Sequence, residues 1–323
     1  MKTHYLGLEL SSPVVVASSP YTATRANIEK CAACGAGAVV LKSIFEEQVL
    51  CRSAAYDYRS PGMGDSGEYL ERYLGDEYKH EFLHLIGDAR RTGLPVIASI
   101  NCLSAGEGWI DYAAAMADAG ASALELNIFL QPADPTQSAQ RIEHDYAAIV
   151  RRVAGAVRIP VSVKLPLRLT NVLALAAELH RCGARGAVLF NRFFEPDIDI
   201  EKLAFVASDP FSAPSELRNV LRSTALGTSA VPELDWAVST GVHDGAAAVK
   251  ALLCGARAVQ VCTAIHRSGY EAIAAIGRFV DEWAARHGFA TLDEFYGKLD
   301  YGEIGNALFQ RVQYMRYFPT EAE

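Results

Sequence analysis

A pattern that recurs four times along the chain constrains its fold more than any other feature. Each time, a helix-like stretch ends in Gly-Ala and a short apolar run follows at once. The four copies are Gly35-Ala36 before residues 37–41, Gly120-Ala121 before 122–126, Gly183-Ala184 before 186–190 and Gly255-Ala256 before 258–261. A glycine directly after a helix supplies the left-handed backbone that ends it, and a short apolar run is typical of a buried parallel strand. The pattern therefore predicts repeated helix–strand units.

Four further apolar runs fall between these units, at residues 14–17, 95–99, 160–163 and 234–238. Pro95 and Pro160 open two of these runs, where the missing N–H of a proline costs least. The amphipathic segments between the runs include residues 109–119, 140–153, 172–181, 245–253 and 270–287. Eight strands that alternate with helices predict an α/β fold, a single-domain (β/α)8 TIM barrel over residues 1–300 with a C-terminal helical extension over 301–323. A doubly wound open sheet is the alternative.

Charge and cysteine usage exclude several classes of protein. The chain has 38 acidic and 30 basic residues, a net charge of −8, and no basic run offsets it, so we expect no nucleic-acid partner. No apolar run reaches the roughly 18 residues of a membrane span, and the N-terminus lacks the apolar core of a signal peptide. Seven scattered cysteines do not suggest a disulfide framework. We therefore expect a cytoplasmic protein that acts on a small molecule and has no membrane partner.

Hydrogen-bonding side chains stand at the end of every predicted strand. They are Ser18-Ser19, Lys42-Ser43, Asn101-Cys102, Asn127, Lys164, Asn191, Ser239-Thr240 and Cys262-Thr263. In a barrel of this kind the carboxyl ends of the strands form the active-site face. Because no carboxylate stands there, paired-acid glycoside hydrolysis and a carboxylate-bound metal are disfavoured, and we expect no metal. The donors suit a phosphate or a flavin, although either lysine could instead form a Schiff base as in aldolase-like barrels.

The loops after the last two strands add a candidate phosphate site. They cover residues 238–245 and 261–264. Backbone N–H groups in these loops, together with a helix N-terminus, form the phosphate site that is typical of this fold. An ordinary turn with Asp244 as the helix N-cap explains the first loop equally well.

Several segments of the chain resemble the dihydroorotate dehydrogenases, and most closely their soluble class 1 group. They are residues 5–19, 35–43, 124–127, 162–166, 252–269 and, at the C-terminal end, 293–299. The similarity runs in matching order over about residues 3–300 and is weak at 51–79 and 192–212. The resemblance implies a TIM barrel, an FMN cofactor and, in pyrimidine biosynthesis, the oxidation of dihydroorotate to orotate with hydride transfer to FMN.

The resemblance also assigns residues to the cofactor and the substrate. The implied cofactor-binding set is Ala17, Ser18, Lys42, Ser43, Asn127, Lys164, Thr240, Gly241, Cys262 and Thr263. Lys164 would place a positive charge near the pyrimidine end of the flavin ring, where it stabilises the charge of the reduced form. Lys42, Asn127 and Asn191 would contact the substrate, and Lys42 is also assigned a catalytic role. The family has glycine where this chain has Thr240 and Cys262, so backbone amides would hold the phosphate.

Three departures from the family pattern concern mainly the substrate. The family places a proton-abstracting cysteine, or a serine in its membrane-associated group, in the loop after Asn127, and here Phe129 or Leu130 takes that position. The family's Asn-Ser-Met-Gly-Leu loop is absent, with residues 59–64 as the nearest match, and so is the Gly-Gly phosphate loop before Pro214. The flavin half of the site is thus largely kept, whereas the dihydroorotate half is largely rewritten.

Several other side chains are weaker candidates for chemistry. Cys102 follows Asn101 at a strand end and is the substitute base that we favour, provided that its thiolate has a lowered pKa; a buried structural cysteine is the alternative. Tyr21, Glu46 and Asp134 are further titratable groups near strand ends. For Cys31 and Cys34 a packed helix face is favoured over a metal or redox pair. We expect His243 to act as a cap or to be exposed.

Three functional hypotheses follow from these observations. The first is an FMN-dependent oxidoreductase acting on CH–CH bonds, either a divergent dihydroorotate dehydrogenase or a paralogue with another planar, carbonyl-bearing substrate. The second is a flavin-free lyase or aldolase that uses Lys42 or Lys164, and the third is a non-catalytic flavin-binding subunit. We expect neither an iron–sulfur cluster nor an NAD site on this chain. Residues 307–318 are predicted to pack on the barrel or on another subunit, so a homodimer is among the expectations, and the electron acceptor stays open.

Overall fold

Eight parallel strands close into a barrel in the computed structural model, which describes residues 1–45, 76–102, 108–128, 130, 134–192, 196–207 and 209–301. In chain order, the strands are β1 (Thr3–Tyr5), β2 (Leu8–Leu10), β3 (Val14–Val16), β4 (Ala38–Val40), β5 (Ile44–Phe45), β6 (Val96–Cys102), β7 (Ala123–Ile128), β8 (Val161–Pro166), β9 (Gly186–Asn191), β10 (Pro196–Asp199), β11 (Ala204–Ala207), β12 (Asp235–Ser239) and β13 (Ala256–Val261). The helices are α1 (Arg25–Ala33), α2 (Asp76–Arg90), α3 (Gly108–Asp118), α4 (Ala139–Ala156), α5 (Val172–Arg181), α6 (Leu217–Ala230), α7 (Gly245–Leu253), α8 (Thr263–Ser268) and α9 (Glu271–Arg286).

The pairing of the strands distinguishes a closed barrel from an open sheet. The order around the barrel is β3, β4, β6, β7, β8, β9, β12 and β13, and β13 pairs with β3 to complete the ring. The two pairings that close it are parallel, with Val259 beside Val14 and Val39 beside Val96. Every one of the eight predicted apolar runs forms one strand of this ring. The (β/α)8 barrel is therefore confirmed, and the open-sheet alternative is wrong.

The glycines of the recurring pattern adopt the backbone that was expected of them. Gly35, Gly120, Gly183 and Gly255 have φ angles of +78°, +93°, +105° and +97°. Each lies two residues after the last residue of a helix and one to three residues before a strand whose residues are mostly buried. Because a side chain is strained at these angles, glycine ends the helix at the lowest cost and lets the chain turn at once into the barrel.

The β1–β2 hairpin covers the end of the barrel at which the strands begin. The backbone N–H of Leu6 donates to Asp235 Oδ2 at 2.7 Å, at the first residue of β12. Tyr5, Leu6 and Leu10 are fully or almost fully buried there against apolar side chains of the barrel interior. The hairpin thus closes this end of the barrel with an apolar core.

Several strands continue past the point at which their apolar runs stop. β6 extends to Cys102, β7 to Ile128, β8 to Pro166 and β9 to Asn191, so Asn127, Lys164 and Asn191 lie within strands rather than after them. Side chains two residues apart share one face of a strand, and the inward face here turns from apolar to polar near the carboxyl ends. The first polar residue therefore marks the start of the polar interior and not the end of the strand.

No helix among the described residues is long and apolar enough to cross a membrane. The extension over 301–323 lies, apart from Tyr301, outside the described residues, so its helix stays a prediction.

Candidate active site

A cavity of about 400 Å³ opens at the carboxyl ends of the barrel strands. Nine residues of the predicted site line it: Ala17, Ser18, Lys42, Lys164, Asn191, Thr240, Gly241, Cys262 and Thr263. They come from β-strand ends and loops that are far apart in the chain, and the closed ring of strands brings them together. A cavity of this size is in the range of small-molecule and cofactor sites.

Two further predicted residues lie directly behind the cavity wall. The Ser43 hydroxyl is 3.0 Å from the Ser18 hydroxyl and 2.8 Å from that of Ser99, so it holds the first strand end against its neighbours. Asn191 Nδ2 donates to Asn127 Oδ1 at 2.9 Å. Both residues are thus one hydrogen bond away from a side chain that lines the cavity.

The loop after β12 has a backbone that favours glycine. Thr240 and Gly241 both have φ near +79°, and a Cβ atom on Gly241 would lie only 2.5 Å from the backbone nitrogen of Leu217 at the start of α6. Thr240 is a non-glycine residue in this region and donates its hydroxyl proton to the carbonyl of Phe190 at 3.0 Å. Asp244 accepts from the N–H of Ala247 at 2.8 Å and caps α7, as the alternative interpretation of this loop predicted.

A serine that sequence reasoning missed fastens one wall of the cavity. The backbone N–H and the hydroxyl of Ser212 both contact Thr263 Oγ1 at 3.2 Å. The same hydroxyl lies 2.9 Å from His243 Nε2, and neighbouring Phe211 stacks on His266 at 3.6 Å between ring centroids. Side chains therefore hold this segment in place where the family has a Gly-Gly loop.

His243 is consequently neither a helix cap nor an exposed side chain, and that expectation is wrong. It is half-buried behind Ser212, and Arg267 Nη1 lies 3.4 Å from its Nδ1. Partial burial and the Arg267 guanidinium lower the pKa of His243 below its ordinary value, since both disfavour a second positive charge. Because an arginine can only donate, Nδ1 of the neutral ring accepts from Arg267, and the ring proton on Nε2 is donated to the Ser212 hydroxyl oxygen.

The cavity wall is rich in positive charge and contains a polar atom that lacks a partner. Lys42, Lys164 and Arg192 line it, and no Asp or Glu does among the described residues. Arg192 Nε contacts Glu216 Oε2 at 3.4 Å, whereas its Nη1 is buried without a hydrogen bond within the part of the chain that the structure describes. Ser19 Oγ is also buried, and its contact is with the Cys262 thiol. Because unpaired buried donors are costly, this set fits an anionic ligand with several acceptors, and FMN is of that kind.

Comparison with known proteins agrees with this geometry, although no family model matches the chain. The catalytic subunit of dihydroorotate dehydrogenase B (NAD(+)) from Desulforudis audaxviator is 30% identical over 215 residues, which is 64% of this chain and 68% of the relative. The chain belongs to the dihydroorotate dehydrogenase family. The corresponding subunit from Methanothermobacter thermautotrophicus is 28% identical over 316 residues, which is 92% of this chain and 97% of the relative. Dihydroorotate dehydrogenase A (fumarate) from Lactococcus lactis is 24% identical over 316 residues, 93% and 99% of the two chains.

Family membership makes the position of the proton-abstracting base the main question. Phe129 lies outside the described residues, as do Glu46 and residues 59–64. Leu130 is half-buried and lines a separate cavity beside Ile142 and Tyr146 rather than the main one. Cys102 ends β6, next to Ile128 of β7, but its side chain lies outside the description. Its role as substitute base in this dihydroorotate dehydrogenase family member stays a prediction.

The other titratable candidates have structural partners, and none of them is among the residues that line the cavity. Asp134 is exposed and accepts from the N–H and the hydroxyl of Thr136, which lower its pKa. The Tyr21 hydroxyl lies 3.0 Å from His266 Nδ1. Cys31 is fully buried in α1, where burial raises the pKa of its thiol to about 12. Cys34 directly follows the helix as its C-cap and is half-buried, so the packed helix face that was favoured for this pair is confirmed for Cys31 alone.

Sequence reasoning also missed three polar side chains inside the barrel. Ser99, Glu125 and Gln260 are fully or almost fully buried, and Gln260 lines the cavity. Each lies two residues before a predicted strand-end residue: Asn101, Asn127 or Cys262. The two-residue alternation of a strand could have identified them, because it places each pair on the same inward face.

Proposed function

We propose that this chain is an FMN-dependent oxidoreductase that acts on a CH–CH bond. Its substrate is dihydroorotate or another planar, carbonyl-bearing small molecule. The observation that carries the proposal is the convergence of Lys42, Lys164 and the Thr240–Gly241 loop on one cavity of a dihydroorotate dehydrogenase family barrel. When bound, FMN would supply the hydride acceptor.

The residues around the cavity divide the work of holding FMN and substrate. Backbone amides at Thr240–Gly241 and at Cys262–Thr263 would hold the phosphate, because both loops line the cavity and the first approaches the start of α6 closely. The Lys164 ammonium would lie against the ring and stabilise charge that develops on it. Lys42 and Asn191 would orient the substrate, and Asn127 would hold Asn191 in place through their hydrogen bond.

Proton removal is the step for which this chain is least well equipped. Oxidation of dihydroorotate releases a proton as well as a hydride, and a positioned general base contributes roughly a hundred- to ten-thousand-fold, or about 3–5 kcal/mol of barrier. Leu130 cannot accept a proton. We therefore expect dihydroorotate oxidation to be slow or absent unless Cys102 acts as the base.

A Schiff-base lyase receives less support from the geometry. A nucleophilic lysine must reach its neutral form. Lys164 Nζ instead donates to Gln260 Oε1 at 3.2 Å, inside a wall with two further cations. This arrangement suits a fixed charge better than an attacking amine.

Flavin content and turnover of the purified protein test the proposal together. We expect a yellow protein with one FMN per chain and little turnover of dihydroorotate with an artificial electron acceptor. Leu130→Cys and Phe129→Cys then ask whether a base in the family position restores turnover, while Cys102→Ser asks whether an existing activity depends on that thiol. A colourless protein that borohydride traps covalently with a carbonyl substrate would refute the oxidoreductase in favour of the lyase. Flavin retention without turnover of any tested planar carbonyl compound would favour the non-catalytic subunit.

A further inference from the structure

Three side chains form a hydrogen-bonded chain from the floor of the cavity into the barrel interior. Lys164 Nζ donates to Gln260 Oε1 at 3.2 Å, and Gln260 Nε2 donates to Glu125 Oε2 in a short hydrogen bond. Lys164 and Gln260 line the cavity, whereas Glu125 lies beneath it and has no exposed surface. A carboxylate in the interior is thus linked through a single amide to the cation that the proposed function places against the flavin.

The strand order shows that these three hydrogen-bonded side chains span the barrel. Lys164 lies on β8 and Glu125 on the adjacent strand β7, whereas Gln260 lies on β13. Three strands separate β13 from β7 in one direction around the ring and three in the other, so the two strands are diametrically opposite. Gln260 therefore reaches across the interior to connect the two charged residues of the other side.

The two charged side chains, Lys164 and Glu125, determine how the Gln260 amide is oriented. An ammonium group can only donate a hydrogen bond and a carboxylate can only accept one, so the amide must turn its oxygen towards Lys164 and its nitrogen towards Glu125. The Lys164 ammonium alone suffices to fix the amide in this orientation, and the Nε2 donor that it presents to Glu125 is matched best by an ionised carboxylate, whose oxygens only accept.

Burial makes each of these charges dependent on the other. Glu125 is fully buried and Lys164 is 7% exposed, so either charge alone would carry a large desolvation cost. Burial raises the pKa of Glu125, while the Lys164 charge and the hydrogen bond from Gln260 lower it. Glu125 Oε1 has no hydrogen-bond partner among the described residues, so Gln260 is the contact that couples this carboxylate to the cavity.

We propose that Glu125 is a positioning residue that acts through Gln260, holding the Lys164 ammonium in place and offsetting part of its charge towards the bound flavin. The proposal rests on the proposed function for the identity of that ligand. Lys164 then does not act as an isolated cation. Its charge favours the reduced, negatively charged flavin, and the Glu125 carboxylate limits that preference. The balance of the two sets the reduction potential of the site.

The first experiment tests the charge pair without any flavin. Carbon-13 NMR of the side-chain carboxyl groups at pH 7, with the Glu125 signal assigned by its loss in Glu125→Gln, reports its ionisation in the flavin-free protein. We expect Glu125 to be ionised in the wild type and protonated in Lys164→Met. The same ionisation state in both proteins would overturn the proposal, because the two charges would then be independent.

The second experiment measures the reduction potential of the FMN-loaded protein with dye-coupled titration. Glu125→Gln keeps the shape of the side chain but removes its charge, and we expect about a tenfold greater preference for reduced over oxidised flavin, which is about +30 mV for a two-electron couple. Gln260→Leu removes the connecting amide and is expected to change the potential as well. Ser162→Ala is the matched control, because Ser162 is an uncharged side chain that is buried on β8 and donates to the Leu124 carbonyl at 3.1 Å.

The outcomes separate this proposal from the proposed function. Equal potentials in Glu125→Gln, Ser162→Ala and wild type would show that Glu125 has a structural role only. A protein that binds no FMN but shows the coupled ionisation of Glu125 and Lys164 would retain the charge pair and contradict the flavin assignment. If Glu125→Gln does not fold, the reduction potential of Gln260→Leu still decides the question, because an unchanged potential in that variant would overturn the proposal.

Discussion

The two halves of the barrel interior are equally buried but differ in chemistry. Towards the N-terminal ends of the strands, Ile97, Ala123 and Ala258 pack with the hairpin residues Tyr5 and Leu10, and all five side chains are fully buried. One inward position further along the same strands, the side chains are Ser99, Glu125 and Gln260. A step of two residues therefore changes the interior from an apolar core to a polar one.

The comparison shows that hydrogen-bond partners, rather than exposure to solvent, allow polar side chains to occupy the half of the interior near the carboxyl ends of the strands. The Ser99 hydroxyl lies 2.8 Å from that of Ser43, and Gln260 donates to Glu125. Buried polar groups are costly unless they are paired, and the ring of parallel strands brings their partners within reach. Each strand thus contributes to stability with one inward residue and to the candidate site with the next.

The boundary between the halves is marked by Tyr5. Its hydroxyl is buried, and burial together with the nearby Glu125 carboxylate raises the pKa of Tyr5 well above the ordinary value. The phenol therefore stays neutral at any pH at which the protein is studied. This neutral ring closes the apolar half directly below the charged one.

The largest effect is expected from a cavity in the apolar half. Ile97→Ala should lower the free energy of unfolding by about 2–5 kcal/mol, because the fully buried side chain leaves a void that the rigid barrel cannot fill. Urea unfolding measures the loss, and flavin affinity should stay close to that of the wild type. A loss of flavin affinity comparable to the loss of stability would show that the two halves do not act separately.

A change at the rim should have the converse effect. Gly241→Ala should weaken FMN binding about ten- to a hundredfold, or about 1–3 kcal/mol, because the added Cβ meets the backbone of Leu217 and displaces the loop. Gly35→Ala is the matched control, since Gly35 has φ +78° but no atom within 4 Å of the added Cβ. Fluorescence titration with FMN compares the two variants. Equal affinities would place the phosphate elsewhere.

A smaller effect is expected when the polar inward-facing residue of β6, Ser99, is replaced. Ser99→Ala removes the hydrogen bond to Ser43 and should cost about 0.5–1.5 kcal/mol of unfolding free energy. Ser43 keeps its contacts with Ser18, so we expect a modest loss of flavin affinity rather than its absence. Comparison with Ile97→Ala on the same strand sharpens the contrast. A larger destabilisation by Ser99→Ala than by Ile97→Ala would reverse it.

The smallest expected effect is a change in the pH dependence of stability. Because the pKa of Glu125 is raised in the folded protein, its protonated form contributes stability that is complete below the ordinary value of 4.5 and is lost as the pH rises through the raised pKa. Glu125→Gln should remove this component, so the variant gains stability relative to the wild type as the pH rises. Urea unfolding between pH 4.5 and 8 measures the difference, with Ser162→Ala as control. Parallel curves for Glu125→Gln and the wild type would contradict it.

Much of the fold followed from local patterns in the sequence. Helices α5 and α7 begin and end where their amphipathic segments predicted, at Val172–Arg181 and Gly245–Leu253. Gly183 and Gly255 follow these two helices and have the positive φ angles that the pattern required. These features depend on backbone conformation and on side chains three or four residues apart, so a short stretch of sequence carries the information.

The site was only partly predictable for the same reason. Its strand-end residues could be found because a barrel collects the carboxyl ends of its strands at one face. Ser212 and Gln260 could not be placed in this way, since Ser212 depends on contacts with Thr263 and His243, and Gln260 on contacts with Lys164 and Glu125. A polar side chain inside a strand is unfavourable until distant segments provide its partners. The sequence by itself determined which segments form strands and helices and which polar residues meet at the rim, whereas the closed ring of strands decided which buried polar groups are paired, because hydrogen bonds between residues far apart in the chain exist only once the barrel has closed.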